Sequence, residues 1–570
     1  MTKAKTFKKI SIPVPSLKRL LSYRREWLRG DLLAGVTVAA YLIPQCMAYG
    51  ELAGVEPVAG LWAILPPMLI YAIFGSSPQL SIGPESSTAV MTAVVIAPLA
   101  AAKSDAYVGL AALLAIIMGL VCIVGYVARL GFLADLLSKP ILTGYMAGIA
   151  LIMIGGQLGK VAKIQIEADA FFPQVSEFSN KFSLAHTPTL ILGILVLIFL
   201  FAFQHRFPKL PIPLIAVLLS TIAVALFQLD TRGVAVVGII PAGLPHPVIP
   251  QVSIEDLEAL MTSAVGIAIV GYSDNVLTAR VFANRNNYKI DPNQELLALG
   301  VANIANGLMQ GFPISSSGSR AVIGDSLGSK SQLFSLVAAV AVILVLLFLR
   351  PVLALFPKAA LGAIVIYAAT KLIEFSQFIR LYRFRRSEFI LAIATTIAVL
   401  MTGILVGVGI AVSLSVIELF SRVARPHDAV LGKVPGLAGL HDIEDWQGAT
   451  TIPGLVIYRY DAPLCFANAE NFKQRSLEAI EAETTPVEWF VLNMEANVEI
   501  DITAIDILSE LRKELAAKNI TFAMARVKQD LYLELERAGF LHNIPAEQIY
   551  PTLPTAIAAF EQAKTLQKGK

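Results

Sequence analysis

The sequence predicts a polytopic α-helical membrane protein of about 14 segments, followed by an α/β domain at the C-terminus. Three observations indicate this fold class. Hydrophobic residues make up 56% of the 570 residues and charged residues only 15%, against roughly 25% charged in soluble domains. The mean hydropathy is +0.68. The apolar runs are concentrated in residues 31–424, and a more polar segment follows them. Lipid is therefore the expected surrounding of most of the chain.

Composition divides the chain into four expected parts. Residues 1–30 form a basic N-terminal segment, residues 31–424 a transmembrane domain, residues 425–440 a linker and residues 441–570 a folded C-terminal domain. Basic residues beside a first span favour the cytoplasmic side, so the N-terminal segment is predicted to be cytoplasmic. The net charge of +3 is too small to indicate a nucleic-acid partner.

Apolar runs mark the predicted membrane segments. Several are shorter than the roughly 20 residues of a full span, and some contain Pro, Gly or a charge. Broken helices explain these runs better than loops, because each unsatisfied backbone group in lipid costs several kcal/mol. A basic cluster, Arg380 to Arg386, follows the twelfth segment, where an even number of crossings returns the chain to the cytoplasm. The predicted segments are 32–50, 58–74, 85–101, 108–128, 137–159, 188–203, 211–228, 261–280, 295–310, 319–328, 332–349, 359–371, 388–405 and 406–422.

An internal repeat relates the two halves of this domain. A constant offset maps Gln45 onto Asp274. The same offset maps Pro84 onto Pro313, and the three hydroxyl residues after Glu85 fall on another three. With seven segments in each copy, the second copy must be inverted in the membrane. A match of a few residues can arise by chance, but helix breaks at matching positions of two repeats indicate the substrate site of a secondary transporter.

The C-terminal part alternates between strand and helix patterns, which predicts an α/β sheet domain. The predicted strands are 454–460, 487–494 and 520–525, and the predicted amphipathic helices are 468–482, 503–517, 528–539 and 553–566.

Two clusters of hydroxyl residues, 81–88 and 311–320, are the predicted binding elements for an anion. Each places a Pro near the start of a short apolar helix, whose free N–H groups and positive dipole end can hold an anion. Small polar residues also pack helices together in membranes, which is the alternative interpretation. The predicted substrate-binding residues are Gln45, Tyr49, Glu85, Ser86, Ser87, Ser317, Gly318, Ser319 and Arg320.

Charged residues inside apolar runs are functional candidates because they are costly in a membrane. Arg320 either attracts the anion through its positive charge or forms an ion pair with Asp274 or Glu85. Burial would disfavour the charged form of Asp274, so this acid is the predicted ion-coupling residue, through a proton or through sodium. A structural pair of Asp274 with Arg320 or Arg280 is the alternative. Glu85 is a second coupling acid, a gate or a solvated helix cap.

Gln45 and Tyr49 lie one turn apart beside Pro44, and both can donate hydrogen bonds to an oxyanion. Ordinary polarity of a helix interface is the alternative for this pair. No enzyme is predicted, since the chain has no Walker lysine motif and its six histidines are scattered without ligand spacing. The three cysteines have no metal-ligand spacing either, and no cofactor is expected beyond a coupling H⁺ or Na⁺.

At these residues the chain resembles the SulP sulfate permease family, the bacterial side of solute carrier family 26. The C-terminal part resembles a STAS domain, with residues 492–496 ending a strand before residues 501–503. The stretches that carry the resemblance are 43–49, 79–85, 271–274, 291–296 and 315–320.

The resemblance implies a uracil-permease-like fold of two inverted seven-segment repeats. A core domain (segments 1–4 and 8–11) would move against a gate domain in an elevator-type motion, with the substrate between half-helices 3 and 10. Gln45, Tyr49, Ser319 and Arg320 match family binding positions, and Asp274 matches a coupling acid. Glu85 departs from the family, whose members often have an apolar or hydroxyl residue there. The resemblance also implies a homodimer and a cytoplasmic partner of the STAS domain.

The expected function is sulfate uptake coupled to protons by a multi-pass protein of the inner (plasma) membrane with both termini in the cytoplasm. Sodium-coupled bicarbonate symport and exchange of chloride or dicarboxylates are alternatives, because the sequence does not separate these anions. A membrane-tethered signalling module and a passive anion channel are further alternatives.

Overall fold

The structure is a computed structural model that describes residues 14–100, 106–135, 138–168, 170–207, 210–241, 243–250 and 254–568. Residues 1–13 of the predicted basic segment lie outside these ranges. The chain divides into two compact units, with the boundary between Ser415 and Val416.

The first unit is helical. The elements up to the middle of the chain are α1 Pro15–Leu21, α2 Leu28–Leu52, α3 Pro57–Trp62, α4 Leu65–Phe74, β1 Ile82–Gly83, α5 Ser86–Ala100, α6 Tyr107–Val127, α7 Lys139–Ala162, α8 Phe171–Lys181, α9 Thr187–Arg206 and α10 Ile212–Phe227. Those that follow are α11 Ile254–Arg285, α12 Pro292–Leu308, β2 Ser315–Ser316, α13 Gly318–Ser326, α14 Leu333–Phe348, α15 Arg350–Ala354, α16 Lys358–Leu372, α17 Phe375–Phe384 and α18 Arg386–Thr402. The next helix, α19 Ile404–Ala424, contains the boundary between the two units.

Helices occupy the predicted membrane segments. Within the described ranges, seven helical stretches are long and apolar enough to cross a membrane, and three further apolar helices, among them α5, are shorter. The two segments predicted to be half-helices are short, since α5 has 15 residues and α13 has 9. In contrast, α11 has 32 residues and extends beyond both ends of the predicted 261–280. Its charged ends hid this length from the hydropathy pattern.

Packing sorts the helices into two groups. The core group consists of α2–α6 and α11–α14, and its strongest contacts join α6 to α12 and α2 to α14. The gate group consists of α7, α9, α10, α16 and α18, in which α7 packs on α16 and α18. A Cβ on Gly119 would lie 2.6 Å from the Gly300 carbonyl oxygen, so α6 and α12 approach closely only because both residues are glycines.

The second unit is a six-stranded sheet with helices, and the predicted strands and helices are all present. Its sheet order is β4-β3-β5-β6-β7-β8, parallel from β5 to β8 and antiparallel where β3 meets β4 and β5. The strands β3, β4 and β8 were not predicted, because they have only two to five residues. β3 lies inside the range expected to be a linker. The elements are β3 Asp428–Gly432, β4 His441–Asp442, β5 Leu455–Tyr460, α20 Ala469–Glu481, β6 Trp489–Asn493, α21 Ile502–Ala517, β7 Thr521–Ala525, α22 Gln529–Arg537, β8 Ile549–Tyr550 and α23 Leu553–Lys568.

Candidate anion site between two helix ends

The short helices α5 and α13 begin next to each other because the strands that precede them pair. β1 and β2 form an antiparallel pair in which Ile82 opposes Ser316, and the Ser317 N–H donates to the Ser81 carbonyl oxygen at 2.9 Å. Neither proline is the first residue of its helix, since Pro84 lies just before α5 and Pro313 lies before β2. The pairing of two extended segments, one from each repeat, therefore brings the helix ends together.

The N-terminus of α5 already holds a negative charge, which is its own Glu85. The Glu85 carboxylate accepts a hydrogen bond from the Ser87 N–H at 2.7 Å and one from Ser87 Oγ at 2.5 Å. The Ser86 hydroxyl also donates to this carboxylate. The predicted donors Ser86 and Ser87 are thus directed at Glu85, and an anion at this helix end would compete with it.

The N-terminus of α13 is open. Within the described part of the chain, the backbone N–H groups of Gly318, Ser319 and Arg320 have no hydrogen-bond acceptor, whereas the Ser317 and Ser319 hydroxyls lie 3.1 Å apart. Ser319 is exposed although its neighbours Ser317 and Arg320 are buried. A Cβ on Gly318 would meet only the Thr278 side chain, at 3.9 Å. Open space therefore lies in front of this helix end.

Arg320 brings a buried positive charge to the same place. Its guanidinium donates from Nε to Ser81 Oγ at 3.2 Å and from Nη1 to the Pro84 carbonyl oxygen at 2.8 Å. Nη2 is buried and has no partner among the described residues. No described carboxylate lies within 4 Å of the guanidinium, so the alternative of an ion pair with Asp274 or Glu85 is not seen here.

Asp274 approaches the junction from α11. Its Oδ2 accepts a hydrogen bond from Ser316 Oγ at 3.2 Å, and the residue is only partly buried. It lies near enough to Glu85 for the two carboxylates to interact electrostatically. The structure therefore places both predicted acids around one junction, Glu85 at the start of α5 and Asp274 inside α11 beside β2. Ser316, which joins Asp274 to β2, was not among the predicted site residues.

The polar face of α2 borders the junction between the two helix ends. Tyr41, Gln45 and Tyr49 repeat every four residues and so share one face of the helix. Gln45 Nε2 donates to the Tyr49 hydroxyl at 2.9 Å, while Gln45 Oε1 is buried without a partner among the described residues. The Tyr41 hydroxyl lies beside the Ser319 hydroxyl. Tyr41 was not among the predicted site residues, although its spacing from Gln45 is the same as that of Tyr49.

These groups can bind an oxyanion. The open end of α13 offers backbone amides, Ser317 and Ser319 offer hydroxyls, and Arg320 offers one free guanidinium nitrogen. Glu85 and Asp274 oppose a second negative charge at the same junction unless they are protonated. Across the described ranges no group of three or more His, Cys, Asp or Glu could hold a metal ion.

Curated relatives cover nearly the whole chain. A probable sulfate transporter of Mycobacterium tuberculosis (strain H37Rv) is 54% identical over 548 residues, which cover 96% of this chain and 98% of the relative. The sulfate transporter 4.1 of Arabidopsis thaliana, described as chloroplastic, is 30% identical and covers 95% of this chain and 82% of its own length. Both names describe transport proteins and neither describes an enzyme.

Solved structures share the fold. The murine solute carrier 26 family member A9 anion transporter in its inward-facing state matches with a TM-score of 0.88 and 22% identity, covering 98% of this chain and 97% of its own. The transmembrane domain of the cyanobacterial bicarbonate transporter BicA matches with a TM-score of 0.60 and 23% identity, covering 69% of this chain and 98% of its own. The predicted fold class of a helical transporter with a C-terminal sheet domain is therefore confirmed.

Family models match both parts of the chain. The model of the STAS domain matches residues 448–556, and the model described as the sulfate permease family matches residues 28–395. The chain therefore belongs to the sulfate permease family of multi-pass membrane transport proteins and carries a STAS domain.

Proposed function

We propose that this protein takes up sulfate together with protons, holding the anion against the open N-terminus of α13. One observation carries the proposal: a helix end whose amides have no partner among the described residues faces open space beside Nη2 of buried Arg320, which has none there either. A dianion satisfies these donors at once, because the helix end and the guanidinium both attract negative charge. The names of the curated relatives favour sulfate among the inorganic anions.

Ser317, Gly318, Ser319 and Arg320 form the primary binding wall of this proposal. Gln45 and Tyr49 complete it from α2, since Gln45 Oε1 lacks a partner and the amide can turn to present its N–H₂ group to the anion. Ser86 and Ser87 join the wall only when Glu85 releases them. Glu85 thereby acts as a gate on the α5 side of the site.

The charge balance of the site supports proton coupling. A sulfate dianion beside ionised Glu85 and Asp274 and one Arg320 leaves three negative charges in a low-dielectric junction. Each proton taken up by a carboxylate removes one of them, so protons and sulfate bind cooperatively. Asp274 is the proposed coupling residue, because it lies at the junction and has one hydrogen-bonded partner, Ser316, in the described part of the chain.

Elevator-type movement fits the grouping of the helices. The site residues lie on α2, α5, α11 and α13, all members of the core group, and the gate group meets them through α16 and α10. The core group could therefore carry the whole site past the gate group without dismantling it. In this proposal both termini face the cytoplasm, since the basic residues of α17 and of the first segment would lie on that side of an inner (plasma) membrane. A homodimer and a cytoplasmic partner of the STAS domain remain part of the proposal.

An uptake assay in proteoliposomes tests the function. Labelled sulfate should enter faster when the outside is acidified, and sodium gradients should have no effect. Labelled bicarbonate, chloride and dicarboxylates test the alternative substrates in the same vesicles. Sulfate uptake that responds to sodium and not to pH would contradict proton coupling, and bicarbonate uptake without sulfate uptake would contradict the substrate.

A further inference from the structure

A cavity of about 640 Å³ lies at the ends of α2 and α7 and the start of α16. The residues that line it are not part of the site at α13. Four of the residues that line it are lysines, and one is an acid. The lining consists of Glu51, Gly159, Lys160, Lys163, Ile164, Gln165, Lys181, Leu184, Ala235 and Lys358.

The proposed topology puts this cavity on the outer side of the membrane. Helix α2 starts after the basic segment predicted to be cytoplasmic, so its last turn, with Glu51, lies outside. Helix α16 runs in the opposite sense, from Lys358 toward the basic residues of α17. An anion that arrives from outside therefore meets this cavity before it meets the site at α13.

The four ammonium groups are held in different ways. Lys181 lies 2.6 Å from Glu177 Oε1, and this contact lowers the pKa of the Glu177 carboxyl. Lys163 donates to the Gly233 carbonyl oxygen at 2.6 Å. Lys358 is partly buried at the first position of α16, and no described carboxylate lies within 4 Å of it. The positive charges around the cavity thus exceed the negative ones.

The Glu51 carboxylate lies among the lysines of this cavity. Its Oε1 lies 3.4 Å from Lys160 Nζ, and the same ammonium group reaches the Glu51 carbonyl oxygen at 3.5 Å. Glu51 belongs to the core group and Lys160 to the gate group. The contact therefore joins the two groups at one end of the helices, and any relative movement of the groups would strain or break it.

We infer that this cavity is an outer docking site for the transported oxyanion, in which Glu51 holds the place of the anion until one arrives. The inference rests on the function proposed above. A tetrahedral dianion can contact Lys160 and Lys358 together and displace the single carboxylate, because two charges compete better than one for the same ammonium groups. Its arrival would release Lys160 from Glu51 and so loosen the contact between the core and gate groups.

Equilibrium binding of labelled sulfate to the purified full-length protein tests the inference. The background variant is Ser319→Trp, which fills the space in front of α13 and removes the inner site. In this background a weaker, salt-sensitive sulfate site should remain. Adding Glu51→Gln should tighten it about fivefold, and adding Lys160→Gln with Lys358→Gln should weaken it at least about tenfold.

The matched control is Lys18→Gln with Lys289→Gln, which removes the same charge from exposed positions away from the cavity and should change binding less than about twofold. The inference is overturned if Ser319→Trp binds no sulfate, or if Glu51→Gln weakens the remaining site or leaves it unchanged. Because Glu51→Gln keeps all lysines, this result does not depend on the folding of the double lysine variant. Failure of the proposed function has a separate signature, which is equal sulfate binding by the unmodified protein and by Ser319→Trp.

Discussion

A substitution at Glu85 gives the sharpest test of the proposed anion site at the start of α13. Its carboxylate accepts three hydrogen bonds from Ser86 and Ser87 and so occupies the anion-binding end of α5. Replacing it by Gln keeps the size and one accepting oxygen and removes the negative charge. If an anion binds between the two helix ends, Glu85→Gln should bind sulfate more tightly than the unmodified protein at neutral and alkaline pH.

The expected size follows from Coulomb's law. A unit charge about 5 Å from another repels it by roughly 3 kcal/mol at an effective dielectric constant of about 20. Sulfate carries two charges, but Glu85 is partly exposed, so solvent screens a large part of the repulsion. We take roughly 1.5–3 kcal/mol as the repulsion of sulfate that Glu85→Gln removes. This corresponds to a Kd for sulfate lower by about 10- to 150-fold.

Calorimetric titration of the detergent-purified protein with sulfate at several pH values measures this change. The gain measures the repulsion between the Glu85 carboxylate and the anion, because Gln keeps the size of the side chain without its charge. Glu26→Gln, at an exposed position before α2, is the control and should leave the Kd unchanged. Weaker or equal binding by Glu85→Gln across the pH range would refute the competition between Glu85 and substrate.

Three further outcomes are expected. Asp274→Asn should make uptake insensitive to an inward proton gradient and leave sulfate–sulfate exchange intact; an unchanged response to the gradient would remove Asp274 from the coupling role. Ser319→Trp should abolish sulfate uptake in a folded protein, whereas Ser326→Trp, at the other end of α13, should leave at least about half of it. Glu295→Gln should lower the free energy of unfolding by roughly 3 kcal/mol in denaturant titrations, since the buried carboxylate accepts hydrogen bonds from four donor groups, including those of Tyr71 and Asn275. An unchanged unfolding midpoint would show that this network adds little.

Hydropathy and the internal repeat were sufficient to predict the long apolar helices and the meeting of the two short helices, but not the helices α1, α8, α15 and α17. Apolar runs must be helices in lipid, so their existence follows from solvent physics alone. The short strands β1 and β2 could not be predicted, because two residues give no alternation. They nevertheless position the site, since their pairing fixes Ser317 against Ser81.

The predicted residues divide according to how local their contacts are. Ser317, Gly318 and Ser319 lie at a helix start that the sequence marks directly. The partners of Arg320 are more than 200 positions away, and whether it would meet Ser81 or an acid depended on packing that no local pattern encodes. Glu295 was missed as an important buried acid for the same reason, because its partners come from α4, the loop after it and α11.

The two repeats produce an unequal pair of helix ends, and this inequality has a functional consequence. A symmetric pair of open ends would bind an anion whether or not protons were present, because both dipoles attract it. In this chain Glu85 covers the end of α5 with a removable charge, whereas the corresponding position before α13 carries no acid and leaves its amides open. In the proposed function the open end of α13 captures the anion, and the anion meets the Glu85 carboxylate at the covered end of α5. The proposed coupling of a proton to the anion then needs no contact over a long distance, because both would act on the same junction.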